Sequence, residues 1–290
     1  MLLKGKNAII TGSNQGFGKE IARKFLEEGA NVLICGRTYS KLEETYIELN
    51  KLTFFKNQKL YATTLDISDS EDIKAFHDYS VNLFKNKLYI LVNNAGIYGI
   101  KGLVDIKDFE AWKETIDINL MGTVNMCMTF LPELKESHGK IINIAGGGAL
   151  SPRTHFSAYA TSKTGVVRFS ECLAEELREF KVDVNCISPG ALNTRIIYEA
   201  VAEGEEKVGK EYYEKALKQI ENGGDSLKNA AELCAFLASS QCDGITGHTI
   251  SARWDEWKSL PEHKQELNKS DIYTLRRILP SDINPYWFEK

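Results

Sequence analysis

The sequence predicts an α/β fold, a doubly wound, seven-stranded parallel sheet with helices on both faces. Seven short apolar runs, at 8–11, 31–35, 60–65, 89–93, 140–145, 183–188 and 248–251, read as strands and alternate with segments of helical periodicity. Strand–helix alternation with right-handed crossovers makes neighbouring strands parallel and spreads the helices over both faces. Several runs end in small polar or glycine-rich turns, and ligands of such sheets bind beyond the carboxyl ends of the strands.

The first run leads into Gly12-Ser13-Asn14-Gln15-Gly16-Phe17-Gly18 and then a helical pattern carried by Ile21, Ala22, Phe25 and Leu26. Such a turn lets backbone N–H groups approach a pyrophosphate at the positive end of the helix, although glycines there also serve tight packing. The second run ends in Cys35-Gly36-Arg37-Thr38, the third in Leu65-Asp66-Ile67 and the fourth in Asn93-Asn94-Ala95-Gly96. Asn119 lies in the next long helical stretch. The fifth run ends in Ala145-Gly146-Gly147-Gly148-Ala149, and the sixth is followed by Pro189-Gly190 and Thr194.

The stretch Ser157-Ala158-Tyr159-Ala160-Thr161-Ser162-Lys163 separates a phenol and an ammonium by four residues. On a helix these share one face, so both head groups reach the same pocket. A free tyrosine ionises near pH ~10, too high for proton transfer at neutrality. A lysine nearby favours the tyrosinate and lowers that value. The pair alone also fits a half-buried tyrosine beside a solvated lysine; the order of the other motifs decides between the two.

Taken together, Thr11-Gly12 with Gly16 and Gly18, Asn93 to Gly96, Asn119, the Tyr159–Lys163 pair, and Pro189-Gly190 with Thr194 follow the order and spacing of the short-chain dehydrogenase/reductase family. The chain resembles that family from about Lys4 to Ser251. The resemblance implies a Rossmann fold with strand order 3-2-1-4-5-6-7 and a nicotinamide nucleotide along the turn from Gly12 to Gly18. It also implies cofactor contacts from Asp66 at the adenine, from Ile67, Asn93, Ala95, Gly96, Pro189 and Gly190, and from Thr194 at the carboxamide. Tyr159 would be the acid that protonates a carbonyl oxygen, or the base in reverse. Lys163 would lower its pKa and hold the nicotinamide ribose, and Asn119 would maintain a water-linked proton path to Lys163.

Two positions depart from or refine the family pattern. The family places a serine thirteen residues before the tyrosine, and here that position is Gly146. Losing such a donor commonly costs ~2.7–4 kcal/mol of transition-state stabilisation. Backbone N–H groups of the glycine triplet, the downstream Ser151, Thr154, His155 and Ser157, or a hydroxyl of the substrate are the candidate replacements. After the second strand, NAD-specific relatives carry an acidic residue; here Gly36 and Arg37 favour NADP, with NAD possible, because a guanidinium welcomes a 2′-phosphate. Gln15 stands where some NADP users carry a second basic residue.

The remaining sequence bounds the reading. With 43% hydrophobic residues, 26% charged residues and a net charge of −4, the chain is an ordinary globule with no basic cluster, so neither nucleic acid nor membrane is an expected partner. No apolar run approaches ~20 residues, and Met1 to Lys4 lead straight into the first strand, so a cytoplasmic location is expected. The six cysteines show no metal spacing. The expected domain covers 1–252, with a charged substrate lid at about 195–224 offering Lys207, Lys210, Lys215 and Lys218 beside Tyr212 and Tyr213. An added tail, 253–290, is rich in aromatics and is expected to pack on its own subunit or a neighbour. The expected function is an NADP(H)-dependent oxidoreductase of a polar small molecule, a sugar, polyol or nucleotide-linked sugar of surface-polysaccharide synthesis, in a homodimer or homotetramer. Its alternatives are a weakened nucleotide-binding regulator and an epimerase or dehydratase that recycles its cofactor.

Overall fold

A computed structural model describes residues 1–53, 55, 57–105 and 108–283. Seven strands, β1 (Asn7–Ile10), β2 (Asn31–Gly36), β3 (Leu60–Thr64), β4 (Ile90–Asn93), β5 (Lys140–Ile144), β6 (Asp183–Ser188) and β7 (Thr249–Ser251), form one sheet ordered β3-β2-β1-β4-β5-β6-β7. Every pairing is parallel, in a register that aligns Ile9 with Leu33 and Leu91, and Leu91 with Ile141. The expected order holds, and the strand ends differ from the sequence reading by about one residue, the ordinary uncertainty of element boundaries.

The crossovers are α1 (Gly16–Glu27), α2 (Tyr39–Asn50), α3 (Ser70–Phe84), α4 (Phe109–Ile116), α5 (Gly122–Ser137) and α6 (Ser157–Glu176). They are followed by α7 (Arg195–Ala202), α8 (Glu205–Val208), α9 (Lys210–Glu221) and α10 (Leu227–Leu237). Alternate strand residues feed two cores. Ile10, Ile34 and Val92 pack with α1 and α10, while Ile9, Leu33, Leu91 and Ile141 pack with α3 and α5. Strands covered on both faces have no polar side to show, which is why β4 and β5 are buried along their whole length. Carboxylate or hydroxyl caps start three of the helices: Asp69 accepts from Glu71 and Asp72, Asp108 from Ala111, and Ser226 from Asn229.

The lid region of the sequence reading contains α7, α8 and α9. Val208 from α8 and Tyr212 and Tyr213 from α9 join Phe156 and Tyr159 in one apolar cluster. Beyond β7 the tail folds back on the sheet. Trp257 packs against Phe236 with ring centroids 5.3 Å apart, and Leu260 and Leu267 are buried. The Thr249 N–H donates to the Tyr273 carbonyl at 2.8 Å, and Leu275 N–H donates to Glu171 at 2.6 Å, so the tail runs along the edge beside β7. Trp254 remains exposed, and Tyr286, Trp287 and Phe288 lie outside the described residues.

Candidate active site

Two cavities meet at the carboxyl ends of the strands and share Phe17, Asn94, Gly96, Thr194 and Ile196 in their walls. The first is built largely of backbone. Gly12 has φ +62°, and a Cβ there would stand 2.8 Å from the Ala95 Cα. A Cβ on Gly18 would stand 2.4 Å from the Gly12 carbonyl oxygen. Only glycine lets the turn lie this close to the start of α1 and to the turn after β4. Asn94 fastens the two turns, its Nδ2 donating to the carbonyls of Thr11 at 2.9 Å and Gly12 at 3.1 Å. Thr11 Oγ1 accepts from the N–H groups of Asn94 and Ala95, both at 3.0 Å. The result is a glycine-lined cradle at a helix N-terminus, which suits a dinucleotide pyrophosphate.

Gly12, Asn14, Gln15, Gly16, Phe17, Gly18, Arg37, Asp66, Ile67, Ala95, Gly96 and Thr194 all line this cavity, as the sequence predicts. Arg37 stands at its rim, 3.8 Å from Asp66, and Lys41, which the sequence reading did not single out, joins it there. A Cβ on Gly36 would meet the Asn14 side chain at 2.8 Å, so an acidic residue at 36 would require Asn14 to move. Four of the expected positions are not among the residues that line this cavity. Ser13 is buried and donates to the Ile10 carbonyl at 2.6 Å, holding the turn from within. Asn93 turns into the core towards Asn143, 2.9 Å away, and Cys127. Pro189 and Gly190 border the second cavity.

The second cavity, about 420 Å³, holds Tyr159 and Lys163 on the expected face of α6. Lys163 Nζ donates to the Ile144 carbonyl at 2.8 Å, and burial lowers its pKa to about 8. Burial, and secondarily Tyr98, push the Tyr159 pKa up, and the cation that pulls it down is Arg153. In this arrangement the Lys163 ammonium is turned to a strand carbonyl, and Arg153 is the cation that acts on the phenol. Asn119 sits in a π-helical turn, Asp117–Met121, inserted between α4 and α5. Its Nδ2 donates to the Ile97 carbonyl at 2.8 Å and to Ser162 at 3.0 Å, and its Oδ1 accepts from Ile97 N–H at 2.8 Å. Both amide hydrogens are thus used in fastening the turn after β4 to α6. A Cβ on Gly96 would lie 3.0 Å from Asn119 Oδ1 and 3.5 Å from Lys163 Nζ, so the three positions are close neighbours.

The glycine triplet has a steric cause. A Cβ on Gly146 would lie 2.1 Å from the Tyr159 hydroxyl, one on Gly147 would lie 3.1 Å from Arg153 Nη1, and Gly148 has φ +101°. The phenol occupies the volume that a serine side chain at 146 would fill. Of the downstream candidates for a replacement donor, Ser151 and Thr154 are exposed, His155 Nδ1 lies 3.1 Å from the Lys207 carbonyl, and Ser157 accepts from the Trp112 indole at 3.1 Å. None of them lines the cavity. Arg153, in the same stretch, does. Its guanidinium carbon lies 4.7–5.7 Å from the ring centroids of Phe156, Tyr98, Tyr212 and Tyr159. Sequence reasoning passed over it because a single loop arginine is ordinarily solvated. The four lid lysines, by contrast, are not among the residues that line the cavity; Lys207 and Lys215 pair with Glu203 and Glu211.

The comparisons agree with this geometry. A family model described as short chain dehydrogenase matches residues 6–204. The 3beta-hydroxysteroid dehydrogenase 1 of Eggerthella lenta is 34% identical over 251 residues, covering 86% of this chain and 92% of that one. The 3-oxoacyl-[acyl-carrier-protein] reductase FabG of Thermotoga maritima is 30% identical over 252 residues, covering 86% of this chain and 97% of that one. Among solved structures, an actinorhodin polyketide ketoreductase variant with NADPH superposes with a TM-score of 0.76 at 27% identity, over 85% of this chain and 95% of that one. With a nucleotide cradle, a tyrosine–lysine face and this match over most of its length, the chain belongs to the short-chain dehydrogenase/reductase family and is an oxidoreductase of the kind that uses a nicotinamide nucleotide.

Proposed function

We propose that this oxidoreductase prefers NADP(H) and interconverts a carbonyl and an alcohol on a polar small molecule, such as a sugar, a polyol or a nucleotide-linked sugar. The observation that carries the reading is the layout of cations. Arg37 and Lys41 stand at the adenosine end of the first cavity, and Arg153 stands beside Tyr159 in the second. A 2′-phosphate is attracted by the first pair, and no carboxylate follows β2 to repel it.

When bound, the nicotinamide nucleotide supplies hydride transfer. The turn from Gly12 to Gly18 would hold its pyrophosphate through backbone N–H groups, and Lys163 would hold its ribose hydroxyls. Tyr159 keeps its proton, because burial disfavours the tyrosinate, until charge develops on a carbonyl oxygen placed against it. It then gives that proton up in reduction and takes it back in oxidation. Arg153 offsets part of the cost of the phenolate. Tyr98 packs edge-on against the Tyr159 ring, with centroids 4.7 Å apart, and Phe156 and Tyr212 join the same apolar cluster. The alternative of a weakened regulator rests on the absent serine, whose place at 146 is crowded by the Tyr159 hydroxyl, and turnover of the Gly146→Ser variant tests it.

Exposed Phe109, Met121 and Met128 on and beside α4 and α5 favour assembly as a homodimer or homotetramer, and light scattering tests it. Among the described residues no helix is long and apolar enough to cross a membrane. The test of the cofactor assignment is equilibrium binding of the two reduced nucleotides. NADPH is expected to bind about tenfold or more tightly than NADH, as one charge-assisted contact would give; equal or tighter binding of NADH would overturn it.

A further inference from the structure

The substrate cavity contains a cation whose charge no group of the protein answers. Among the described residues Arg153 has no carboxylate partner; its Nη1 donates to the Gly147 carbonyl at 3.1 Å and its Nη2 to the Tyr98 hydroxyl at 3.2 Å. The other cations of this cavity are engaged. Arg253 pairs with Asp225 at 3.2 Å, and Lys163, which donates to the Ile144 carbonyl, is the group assigned to the nicotinamide ribose. A guanidinium has five N–H donors in a fixed fork, so three remain for a ligand.

The surroundings sharpen that charge. Four aromatic rings flank it, and their apolar walls lower the local dielectric and strengthen its attraction for an oxyanion. Leaving such a half-buried charge without a counter-ion is unfavourable, which a ligand can relieve. The Tyr212 hydroxyl is also buried beside it, influenced by Tyr98 and Arg153 but without a well-aligned hydrogen bond to either. The glycines at 147 and 148 leave the arginine room, since a Cβ there would come within 3.1 and 3.3 Å of its side chain.

We propose that Arg153 receives an anionic group of the substrate, a carboxylate or a phosphate, close to the carbonyl that Tyr159 serves. Its guanidinium carbon is 5.7 Å from the Tyr159 ring centroid, so one small molecule spans both groups. The substrate class is then an oxo or hydroxy acid, or a phosphate ester, and a neutral alcohol or ketone is the poorer ligand. Tyr212, carried on α9, adds a hydroxyl to the same anion when the lid is in place. This inference rests on the reading that the second cavity takes the substrate.

The test is calorimetric titration of the NADP-loaded protein with three matched probes: glucuronate, glucose 6-phosphate and glucose. At least one acid is expected to bind about tenfold more tightly than glucose, and which one it is distinguishes carboxylate from phosphate. Arg153→Met is expected to erase the difference, and Arg153→Lys to keep part of it. The Kd for NADPH should stay within about twofold in both variants. Glucose binding as well as both acids, binding of neither acid, or a preference that survives Arg153→Met would each overturn the proposal. Should Arg153→Met fail to fold, the Arg153→Lys and wild-type titrations decide alone. NADPH failing to bind the wild type would overturn the cofactor assignment instead.

Discussion

The two cavities hold their ligands by different means. The nucleotide cavity is made by backbone, with turns after β1 and β4 pressed together at distances that exclude a Cβ at Gly12 and Gly18. The substrate cavity is made by side chains from separated segments: Tyr98 after β4, Arg153 and Tyr159 around the start of α6, Tyr212 on α9, and Arg253 with Trp254 after β7. A backbone cradle leaves a fixed glycine spacing in the sequence. A wall of side chains leaves none, because each residue comes from a loop or lid free to vary. The first cavity therefore identifies the family, and the second is where this chain is particular.

The largest effect expected falls in the substrate cavity. Tyr159→Phe removes the transferable proton but keeps the ring, so kcat should fall by ~10²–10⁴ while NADPH binding survives. Near-full turnover in that variant, measured on the most rapidly reduced carbonyl, would remove Tyr159 from the chemistry. A smaller effect is confined to the nucleotide side. Arg37→Ala should raise the KM for NADPH by roughly ten- to hundredfold, since a charge-assisted hydrogen bond is worth ~1.5–3 kcal/mol, and leave NADH little changed. An equal effect on both nucleotides would show that Arg37 does not select.

The smallest effect is on stability. Burial lowers the Lys163 pKa from 10.5 to about 8 in the folded protein, so between those values the unfolded chain binds the proton and the folded one does not. Stability from this group therefore rises with pH across that window, and the cost of burying the charge is full below it. Urea unfolding of the wild type and Lys163→Met from about pH 8 to 10.5 should show the wild type gaining on the variant. A constant gap would mean that Lys163 is not desolvated as placed.

The sequence was most legible where main-chain geometry demands particular residues. The parallel α/β sheet, the glycine turn and the Tyr159–Lys163 face follow from periodicity and spacing, the strand order from the family resemblance, and the structure keeps them. The sequence did not tell Asn93 from Asn94: their side chains point to opposite sides of the chain, and only that of Asn94 faces the glycine turn. The candidate serine substitutes are backbone N–H groups, Ser151, Thr154, His155, Ser157 and a substrate hydroxyl; Arg153 is not among them, because its half-buried place depends on rings that only the fold assembles. The lid lysines looked like substrate contacts by proximity in sequence, yet α9 turns Tyr212 and Gln219 inward and leaves the lysines outside the cavity.

The most direct measurement is kcat for Gly146→Ser, with the Kd for NADPH as control. If Gly146 exists to admit the Tyr159 hydroxyl, the serine side chain displaces the phenol. Overpacking of this kind costs ~1–3 kcal/mol, so turnover should fall roughly tenfold or more while nucleotide affinity holds. A rise in turnover with unchanged nucleotide binding would contradict this, and would mean that the site lacks a serine it could use.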